Sequence, residues 1–390
     1  MYVFNKSTYL KSKGWQVKIC YCAESELMIK KYNEFDCFFI PEMAWGIQYY
    51  LPSKVKKVVK EVSNALSNYE NEVVIESCLF HLAFWGELLA AELNAKHIID
   101  FLEEDIPSYS PLVAKFMEYK LRRWECLNAS EKSQRRLFKS YYKQEFKEYE
   151  FMTDFYCSNV YNNDENENDG ELVLEKSDYN ILSIGRLDKP YIPEMIRQVL
   201  LFAKEYNKCY INLICIGGSP DGKKEEYIKE ECEKVNNVKP YLLGNMFPIN
   251  PKIVKKADVS IATSNSVLVS YNLNVPTIVV DANDSYAIGL YGNDTKQTVF
   301  RCGERQIPII EYLQKVLINH DYTLPEAVIE TKSPEQLLEE HLKNQVEFIK
   351  RSTRDGNYYD VFKLYSTGDI LRGLLVRSFT RFKTLCTHIY

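Results

Sequence analysis

The chain has 390 residues, which is more than a single hydrophobic core usually serves, so two domains are expected. Hydrophobic residues make up 46% of the chain and charged residues 26%, as in ordinary globular proteins, and no run of 18 apolar residues predicts a membrane span. The net charge of −5 argues against a nucleic-acid partner, whose phosphates must be neutralised by Lys and Arg.

Many of the 11 cysteines lie inside apolar segments, among them Cys20, Cys37, Cys78, Cys209 and Cys215. Cysteines in such surroundings are usually buried, reduced thiols that pack as small apolar side chains. The cysteine pattern therefore predicts a cytoplasmic protein rather than a secreted disulfide scaffold.

Predicted strands and helices alternate in the first part of the chain. In order they are a helix over Tyr2–Lys13, strands over Val17–Cys22 and Phe35–Pro41, a helix over Lys54–Asn68, a strand over Glu72–Ser77, a helix over His81–Leu93, a strand over Ala95–Leu102 and a charged helix over Lys115–Lys143. This alternation is typical of a parallel sheet with crossover helices. Such a domain normally begins with a strand and a Gly-rich turn, and neither precedes the first helix. We therefore expect the N-terminal domain to lack its first strand, through truncation or a misassigned start codon.

The acidic run from Asn162 to Glu171 cannot bury apolar surface and predicts a linker or an exposed loop. A second α/β series follows, with strands over Tyr179–Ile184, Ile211–Ile216, Val238–Leu243, Val259–Ala262 and Pro276–Asp281, and helices over Ile192–Asn207, Glu225–Val235, Pro251–Lys256 and Val267–Leu273. Ser333–Ser352 begins with the capping signals of another helix. We divide the chain into a domain over 1–161, the linker 162–172, a domain over 173–330 and C-terminal helices over 331–390. The predicted α/β fold has two Rossmann-like domains facing each other across a cleft.

Glycine-rich or polar turns follow four strands of the second series, at the carboxyl ends where open parallel sheets bind ligands. Bare glycine backbone lets a ligand approach closely, Arg and Lys supply the positive charge that a pyrophosphate needs, and Ser or Asn before a helix can receive a phosphate. The residues concerned are Gly185, Arg186 and Lys189, then Gly217 and Gly218, then Gly244 and Asn245, and last Ser264, Asn265 and Ser266. Each turn alone is also compatible with an ordinary surface turn or helix cap.

The order and spacing of these turns resemble the C-terminal domain of family 4 glycosyltransferases, which are retaining enzymes of the GT-B fold. Ile184-Gly185-Arg186-Leu187 with Lys189 looks like the family's Gly-Arg-Leu and Lys element, and Ile216-Gly217-Gly218-Ser219-Pro220 is similar to its Ile-Gly-x-Gly-Pro turn. Three further segments are similar to elements of the family, namely Leu242-Leu243-Gly244, Lys256-Ala257-Asp258-Val259 and Asn274-Val275-Pro276-Thr277-Ile278-Val279.

This resemblance implies an acceptor-side domain over 1–161 and a nucleotide-sugar-binding domain over 173–330. Because the family's Arg and Lys hold the donor diphosphate, it also implies that Arg186 and Lys189 stabilise the departing diphosphate during catalysis. The expected donor-binding residues in the four turns are Gly185, Gly217, Gly218, Gly244, Asn245, Ser264, Asn265 and Ser266. No Asp-x-Asp metal element stands in a convincing place, so neither a metal nor another cofactor is expected.

The sequence departs from the family at two Glu residues that contact the donor sugar and the ribose, since the aligned positions are about Ile261 and Val269. Polar residues after the last predicted strand are candidates for those contacts, because a strand's carboxyl end should face the cleft. They are Asp281, Asn283, Asp284, Tyr291 and Asn293, of which Asp284 and Tyr291 are the expected donor-binding residues. An ordinary surface loop is an equal alternative.

On the acceptor side, Glu104 follows the strand that ends near Leu102, where the family places acceptor contacts. Glu104 or its neighbour Asp105 could accept a proton from a sugar hydroxyl, and we take Glu104 as the catalytic candidate. A helix cap or a solvated acidic cluster is the alternative.

The last stretch, 369–390, is cationic and amphipathic. One interpretation is a peripheral contact with the inner face of the membrane, where a lipid-linked acceptor would lie. The other is a helix that packs back on the N-terminal domain.

Together these features predict a glycosyltransferase that moves a sugar from a nucleotide-sugar donor to a saccharide or lipid-linked acceptor. The expected setting is bacterial surface polysaccharide synthesis, such as capsule assembly. The missing acidic pair leaves an alternative open, namely a catalytically inactive GT-B protein that acts as a partner or glycan-binding subunit. A nicotinamide-dependent oxidoreductase is disfavoured, because no Gly-x-Gly-x-x-Gly follows a first strand.

Overall fold

The computed structural model describes residues 2–22, 30–66, 72–78, 80–100, 111–127, 172–246, 248–323, 333–352 and 355–387. The chain forms two compact units. The central unit comprises Cys157–Glu335, and the terminal unit comprises Tyr2–Tyr156 together with Gln336–Tyr390. The residues from Gln336 onward thus belong with the first part of the chain.

The terminal unit contains two small sheets whose strands are parallel throughout. Its elements from the first part of the chain are α1 (Tyr2–Ser12), β1 (Lys18–Tyr21), β2 (Asp36–Phe39), α2 (Pro52–Leu66), β3 (Val74–Ser77), α3 (Leu82–Leu93), β4 (Lys96–Asp100), α4 (Pro111–Arg122) and β5 (Cys126–Leu127). Strand β1 pairs with β2, and β3, β4 and β5 form the second sheet in that order. The strand and helix pattern of the sequence predicted these elements except β5, but the described strands form two sheets rather than one.

Apolar faces of α2 and α3 form the core of this unit. Val55, Val58 and Val62 recur along α2 at helical spacing and are buried, and they belong to one cluster with Trp85 of α3. This spacing gives α2 one continuous apolar stripe, which explains why it packs as an amphipathic helix.

The predicted helix over Lys115–Lys143 is wrong for its part between Arg123 and Leu127. Helix α4 ends at Arg122, and Trp124 takes a left-handed conformation with φ of 57°. The chain then pairs with β4, with Cys126 opposite Ile99. Burial of these strand residues outweighs the local helical pattern. The remainder of that prediction, and the linker prediction up to residue 171, lie outside the described residues.

The central unit is built on one six-stranded sheet. Its elements are β6 (Tyr179–Ile184), α5 (Ile192–Glu205), β7 (Ile211–Ile216), α6 (Lys223–Glu233), β8 (Val238–Leu242), α7 (Pro251–Val254), β9 (Val259–Ala262), α8 (Asn265–Tyr271), β10 (Thr277–Val280), β11 (Ala287–Leu290) and α9 (Ile309–Leu313), which continues as a π-helical turn over Gln314–Ile318. The strand order is β11-β10-β9-β6-β7-β8. All neighbouring strands are parallel except β10 and β11.

Strands β7, β9 and β10 are buried along their whole length, as expected for parallel strands that are covered on both faces. Helix α5 buries Ile192, Met195, Ile196 and Val199 against this sheet. The near-continuous apolar runs of the sequence therefore predicted the central strands correctly.

Two further helices are α10 (Pro334–Arg351), which belongs to the terminal unit from Gln336 onward, and α11 (Thr367–Thr387), which belongs to it entirely. The Tyr2 hydroxyl donates a hydrogen bond to Gln345 of α10 at 2.8 Å. The Arg377 guanidinium of α11 lies 4.0 Å from the centre of the Tyr50 ring. Among the described residues, no helix is both long and apolar enough to cross a membrane.

Candidate functional site

The central sheet has a topological switch point between β6 and β9. From β6 the chain adds β7 and β8 on one side, and it then returns to add β9 and β10 on the other side. The loops that leave β6 and β9 at their carboxyl ends therefore diverge, and a crevice of this kind is where open α/β sheets bind ligands. Gly185 and Arg186 follow β6, and Thr263 and Ser264 follow β9, so the structure brings predicted residues to both sides of the switch point.

The glycine turns after β6, β7 and β8 are held together by main-chain hydrogen bonds. Gly185 N–H donates to the Ile216 carbonyl at 2.9 Å, and Gly217 N–H donates to the Gly244 carbonyl at 2.7 Å. Gly217 has φ of 138°, and a Cβ there would overlap the Gly185 carbonyl group. Only glycine fits such a close approach, so Gly185, Gly217 and Gly244 form one backbone-lined rim.

Two predicted cations lie at the first of these turns. The Arg186 side chain is 70% exposed, with its guanidinium 3.6 Å from the Asp188 carboxylate. The Lys189 ammonium lies 5.9 Å from the centre of the Tyr191 ring, and it is close to Gly185, since a Cβ on Gly185 would be 3.5 Å from it. The turn therefore presents one exposed guanidinium and one half-buried ammonium beside bare backbone, which is an arrangement suited to phosphate oxygens.

The turn after β7 is contacted by a carboxylate of α6 that the sequence reasoning missed. Glu225 accepts hydrogen bonds from the Ser219 N–H at 2.7 Å and from the Ser219 hydroxyl. Burial disfavours the charged form of Glu225, but these hydrogen bonds outweigh it and lower its pKa. A Cβ on Gly218 would lie 3.3 Å from Glu225 and 3.4 Å from the Asn245 amide, so these groups share one pocket of the rim. The signal available in the sequence was an acidic residue in the first turn of the helix that follows Gly217-Gly218-Ser219.

The residues after β9 adopt a strained conformation. Ser264 has φ of 63° and ψ of −144°, which is unusual for a residue with a side chain. Its N–H donates to the Thr298 carbonyl at 2.6 Å, and Asn265 and Ser266 begin the seven-residue helix α8. Backbone strain at a switch point is typical of a ligand-binding turn, so Ser264, Asn265 and Ser266 remain predicted donor contacts.

The carboxylates after β10 are engaged within the unit. Asp284 accepts hydrogen bonds from Arg301 at 3.2 Å and from Gln306 at 2.8 Å. Burial opposes its charge, but these hydrogen bonds prevail and lower the pKa of Asp284. Asp281 accepts from the Arg301 N–H at 2.7 Å. The contacts of Asp284 therefore support the shape of this loop, and its role in donor binding stays a prediction.

The expected position of Tyr291 is wrong. Residues 287–290 form β11 antiparallel to β10, with Ile278 opposite Leu290, instead of a loop at the carboxyl rim. Tyr291 N–H donates to the carbonyl of Thr277, the first residue of β10, so Tyr291 lies at the amino end of that strand. A parallel strand needs a long crossover, whereas a short connection from β10 permits an antiparallel neighbour, and the connection here is only six residues.

The predicted acceptor-side residue Glu104 lies outside the described residues. In the terminal unit, the described groups near the carboxyl ends of β3 and β4 are Glu76, Asp100, Lys6 and Cys78. The Lys6 ammonium pairs with Glu76 and lies 3.4 Å from Asp100. Burial raises the pKa of Glu76 to about 7, with Lys6 opposing and Asp100 reinforcing that shift.

Metal-ligand geometry occurs at the same place. Among the described residues, the potential ligand atoms of Glu76, Cys78 and Asp100 lie within 4.8 Å of one another. The Lys6 ammonium already supplies a cation to both carboxylates, so the charge balance of this cluster does not require a metal ion. The expectation of a metal-independent protein stays a prediction.

No family model matches the chain, and no curated protein matches it. Solved structures do resemble it. A glycosyltransferase from Rickettsia africae aligns over 90% of this chain and 95% of its own with a TM-score of 0.55 and 12% identity. Anabaena HepE in complex with UDP and glucose aligns over 98% of this chain and 96% of its own, with a TM-score of 0.52 and 12% identity.

The chain has the GT-B fold. The two similar structures cover nearly the full chain, and the α/β units with parallel sheets agree with two Rossmann-like domains of that fold. At 12% identity the likeness establishes the fold alone, and membership of family 4 is not established by it.

Proposed function

We propose that the protein is a glycosyltransferase that binds a nucleotide-sugar at the switch point of the central sheet. One observation carries the proposal: Arg186 and Lys189 stand beside the interlocked glycine turns at the carboxyl ends of β6 and β7. Cations next to accessible backbone suit a diphosphate, and the GT-B fold gives that chemistry a sugar-transfer setting. Anabaena HepE was solved with UDP and glucose, so UDP is the first nucleotide to test.

In this proposal Arg186 and Lys189 neutralise the charge that develops on the diphosphate as the bond to the sugar breaks. The glycine turns hold the donor through backbone contacts, and Glu225 accepts hydrogen bonds from donor hydroxyl groups. A saccharide or lipid-linked molecule accepts the sugar, with retention of anomeric configuration and without a metal ion. The setting is bacterial surface polysaccharide synthesis.

The test is calorimetric titration of the full chain with UDP-, GDP-, CMP- and dTDP-sugars, followed by the double variant Arg186→Ala with Lys189→Ala. Two charge-assisted contacts contribute about 1.5–3 kcal/mol each, so we expect affinity to fall by at least about a hundredfold. The matched control is Arg197→Ala with Lys204→Ala, which removes the same two residue types from exposed positions on α5. Equal affinity in both double variants would disprove the assigned site.

A catalytically inactive GT-B protein is the second candidate, favoured by the residues at the expected acidic positions. Ile261 is fully buried within β9, and Val269 packs against the apolar cluster beneath α8. Neither position offers a carboxylate to a donor sugar. Donor binding without hydrolysis or transfer across a panel of acceptors would support this candidate over the enzyme.

Membrane contact through α11 is a further part of the proposal. Gly373 packs against the backbone of Gln48, whereas Leu371 and Leu375 on another face are 58% and 72% exposed. Exposed leucines one turn apart, next to Arg372, suit an anionic lipid surface. In flotation with phosphatidylglycerol vesicles, Leu371→Asp with Leu375→Asp should abolish binding, and Leu201→Asp, an exposed leucine of the central unit, should not. Unchanged flotation of the double variant would rule out this contact.

A further inference from the structure

Two buried hydroxyl groups next to the Gly185 turn have no hydrogen-bond partner. Among the described residues, the buried hydroxyls that lack a partner are those of Ser183 and Tyr191. Ser183 lies on β6 and is 2% exposed, and Tyr191 lies at the start of α5 and is 1% exposed. Buried polar groups in folded proteins are nearly always hydrogen-bonded. Two exceptions beside one turn therefore indicate a partner that joins the protein from outside.

The two hydroxyls lie close to each other but are not in hydrogen-bonding geometry. Burial raises the pKa of Tyr191, and the nearby Ser183 hydroxyl opposes this rise only in part. The Tyr191 phenol therefore stays protonated at neutral pH and keeps a proton to donate in a hydrogen bond. A neutral donor of this kind suits an anionic oxygen.

A niche beside Gly185 brings the Tyr191 hydroxyl and the Lys189 ammonium together. A Cβ on Gly185 would lie 3.5 Å from the Tyr191 hydroxyl oxygen and 3.5 Å from Lys189 Nζ. One oxygen atom near that point would therefore lie within reach of both groups. Gly185 directly follows β6 at the switch point, so this niche belongs to the turn to which we assign the donor diphosphate.

The Lys189 side chain is one of the groups beside the covered hydroxyl. Its ammonium lies 5.9 Å from the centre of the Tyr191 ring, and its Cε would lie 3.8 Å from a Cβ on Gly185. A lysine side chain is flexible, so an anion can draw its ammonium aside. The uncovered Tyr191 hydroxyl would then gain a partner without giving up a hydrogen bond, and such a bond contributes more to affinity than an exchange of partners does.

We propose that the Tyr191 hydroxyl is a third ligand of the donor diphosphate, exposed when the Lys189 ammonium moves onto the same phosphate. In the bound state Tyr191 donates to a phosphate oxygen, and the Ser183 hydroxyl donates to the Tyr191 oxygen. The inference rests on the proposed function, because it needs a diphosphate at the switch point. A buried water bonded to both hydroxyls is the competing explanation.

The experiment is calorimetric titration of the full-length Tyr191→Phe variant with UDP, GDP and dTDP. The variant keeps the ring that packs in the core and removes only the hydroxyl. For the nucleotide that binds the original protein, we expect affinity to fall about tenfold or more, because a hydrogen bond to a charged group is lost. The stability of the nucleotide-free central unit, measured by amide hydrogen exchange over 179–184, should stay equal or rise, because an unpartnered buried hydroxyl is removed.

Tyr312→Phe is the matched control in the same unit. Tyr312 is also buried, at 6% exposed, but its hydroxyl interacts with the Asp294 carboxylate. Removal of this hydroxyl should lower the stability of the central unit and leave nucleotide affinity unchanged. The two variants should therefore show opposite patterns.

Unchanged affinity in Tyr191→Phe would overturn the inference. A less stable nucleotide-free variant would overturn it as well, because the hydroxyl would then be bonded, to a buried water, without the donor. Failure of the proposed function looks different. In that case none of the three nucleotides binds the original protein, or Arg186→Ala with Lys189→Ala keeps full affinity, and the inference falls with it.

Discussion

The two units differ in what they bury beneath their sheets. Among the described residues of the central unit, Asp281 is the one buried residue with a charged side chain. Among those of the terminal unit, the buried charged residues are Lys6, Glu87, Lys96, Asp100, Lys120 and Glu125. Both units have apolar cores, but the terminal unit also buries charges, and those charges must stay paired for it to remain stable.

Glu87 shows how the charges of the terminal unit are organised. Its carboxylate is 2.7 Å from His97 Nδ1 and 2.8 Å from Lys120 Nζ, and it accepts from Tyr359 N–H at 2.7 Å. These contacts join α3, β4, α4 and the segment before α11. Although burial raises the pKa of Glu87, the His97 and Lys120 contacts outweigh it and lower the pKa to about 2. The carboxylate thus serves as a charged junction inside the fold.

The largest effect is expected from removal of the shared cation. Lys120 is 1% exposed and pairs with both Glu87 at 2.8 Å and Glu125 at 2.5 Å. Lys120→Met should destabilise the terminal unit by about 3–5 kcal/mol, because two buried carboxylates lose their partner. Amide hydrogen exchange measures the stability of each of the two units separately. Lys115→Met, on the exposed face of the same helix, is the control, and an equally mild result for both variants would refute the comparison.

In the central unit we expect the backbone, not charge, to be the sensitive feature. Gly217→Ala should cost about 2–3 kcal/mol, because the new Cβ overlaps Gly185 and φ of 138° strains a side-chain-bearing residue. Gly222→Ala is the matched control, with φ of 71° but open space around it, and should cost about 1 kcal/mol. Exchange rates over β6 and β7 distinguish the two. If both variants lost the same free energy of unfolding, the close approach of the Gly185 and Gly217 turns would not contribute to stability.

The stability of the terminal unit should depend on pH through two contributions of opposite sign, one from His97 and one from Glu76. Burial and the Lys120 charge lower the pKa of His97 to about 4, so its term removes stability as pH falls below about 6.5. The raised pKa of Glu76, about 7, makes the folded state take up a proton more readily than the unfolded state. Its term therefore adds stability as pH falls from about 7 toward 4.5.

Glu76→Gln separates these terms. Between pH 7 and 5.5 the variant should lose about 1 kcal/mol of terminal-unit stability relative to the original protein, because it lacks the gain from protonation of Glu76. Amide hydrogen exchange, corrected for the pH dependence of the intrinsic exchange rate, measures this difference, and the central unit serves as the reference. A parallel pH dependence in variant and original would show that Glu76 is already ionised normally in the fold.

The smallest effect should come from a surface pair of the central unit. Arg197 and Glu194 lie one turn apart on α5, with their side chains 2.6 Å apart. Glu194→Gln should change stability by no more than about 0.5 kcal/mol, since such helix pairs are solvent-screened. A loss comparable to that of Lys120→Met would break the contrast between buried and exposed charge.

Much of the central unit could be predicted from sequence because its strands are apolar throughout and its turns carry glycine. The runs around Ile184 and Ile216 indicated both the strands and the turns that the structure brings together. Tyr291 could not be placed, because the direction of β11 depends on pairing with β10 and not on its own residues. Glu225 was missed because its bonds to Ser219 form only when the β7 turn folds back on α6.

The terminal unit was less predictable. Local pattern favoured a helix through Glu125, yet pairing of Cys126 with β4 ended it early. The charged residues Lys6, Glu87 and Lys120 look like solvated surface residues in a linear sequence. Only pairing with an opposite charge, Lys6 with Glu76 and Lys120 with Glu87, offsets the free-energy cost of burying them.

The sequence by itself determined the order of most strands and helices, the glycine turns and the cations beside them, because hydrophobic period and turn chemistry act over a few residues. Tertiary structure alone decided the direction of β11, the charged junction at Glu87 and the pairing of β5 with β4. Strand pairing and charge pairing join residues distant in sequence, so no local pattern encodes them.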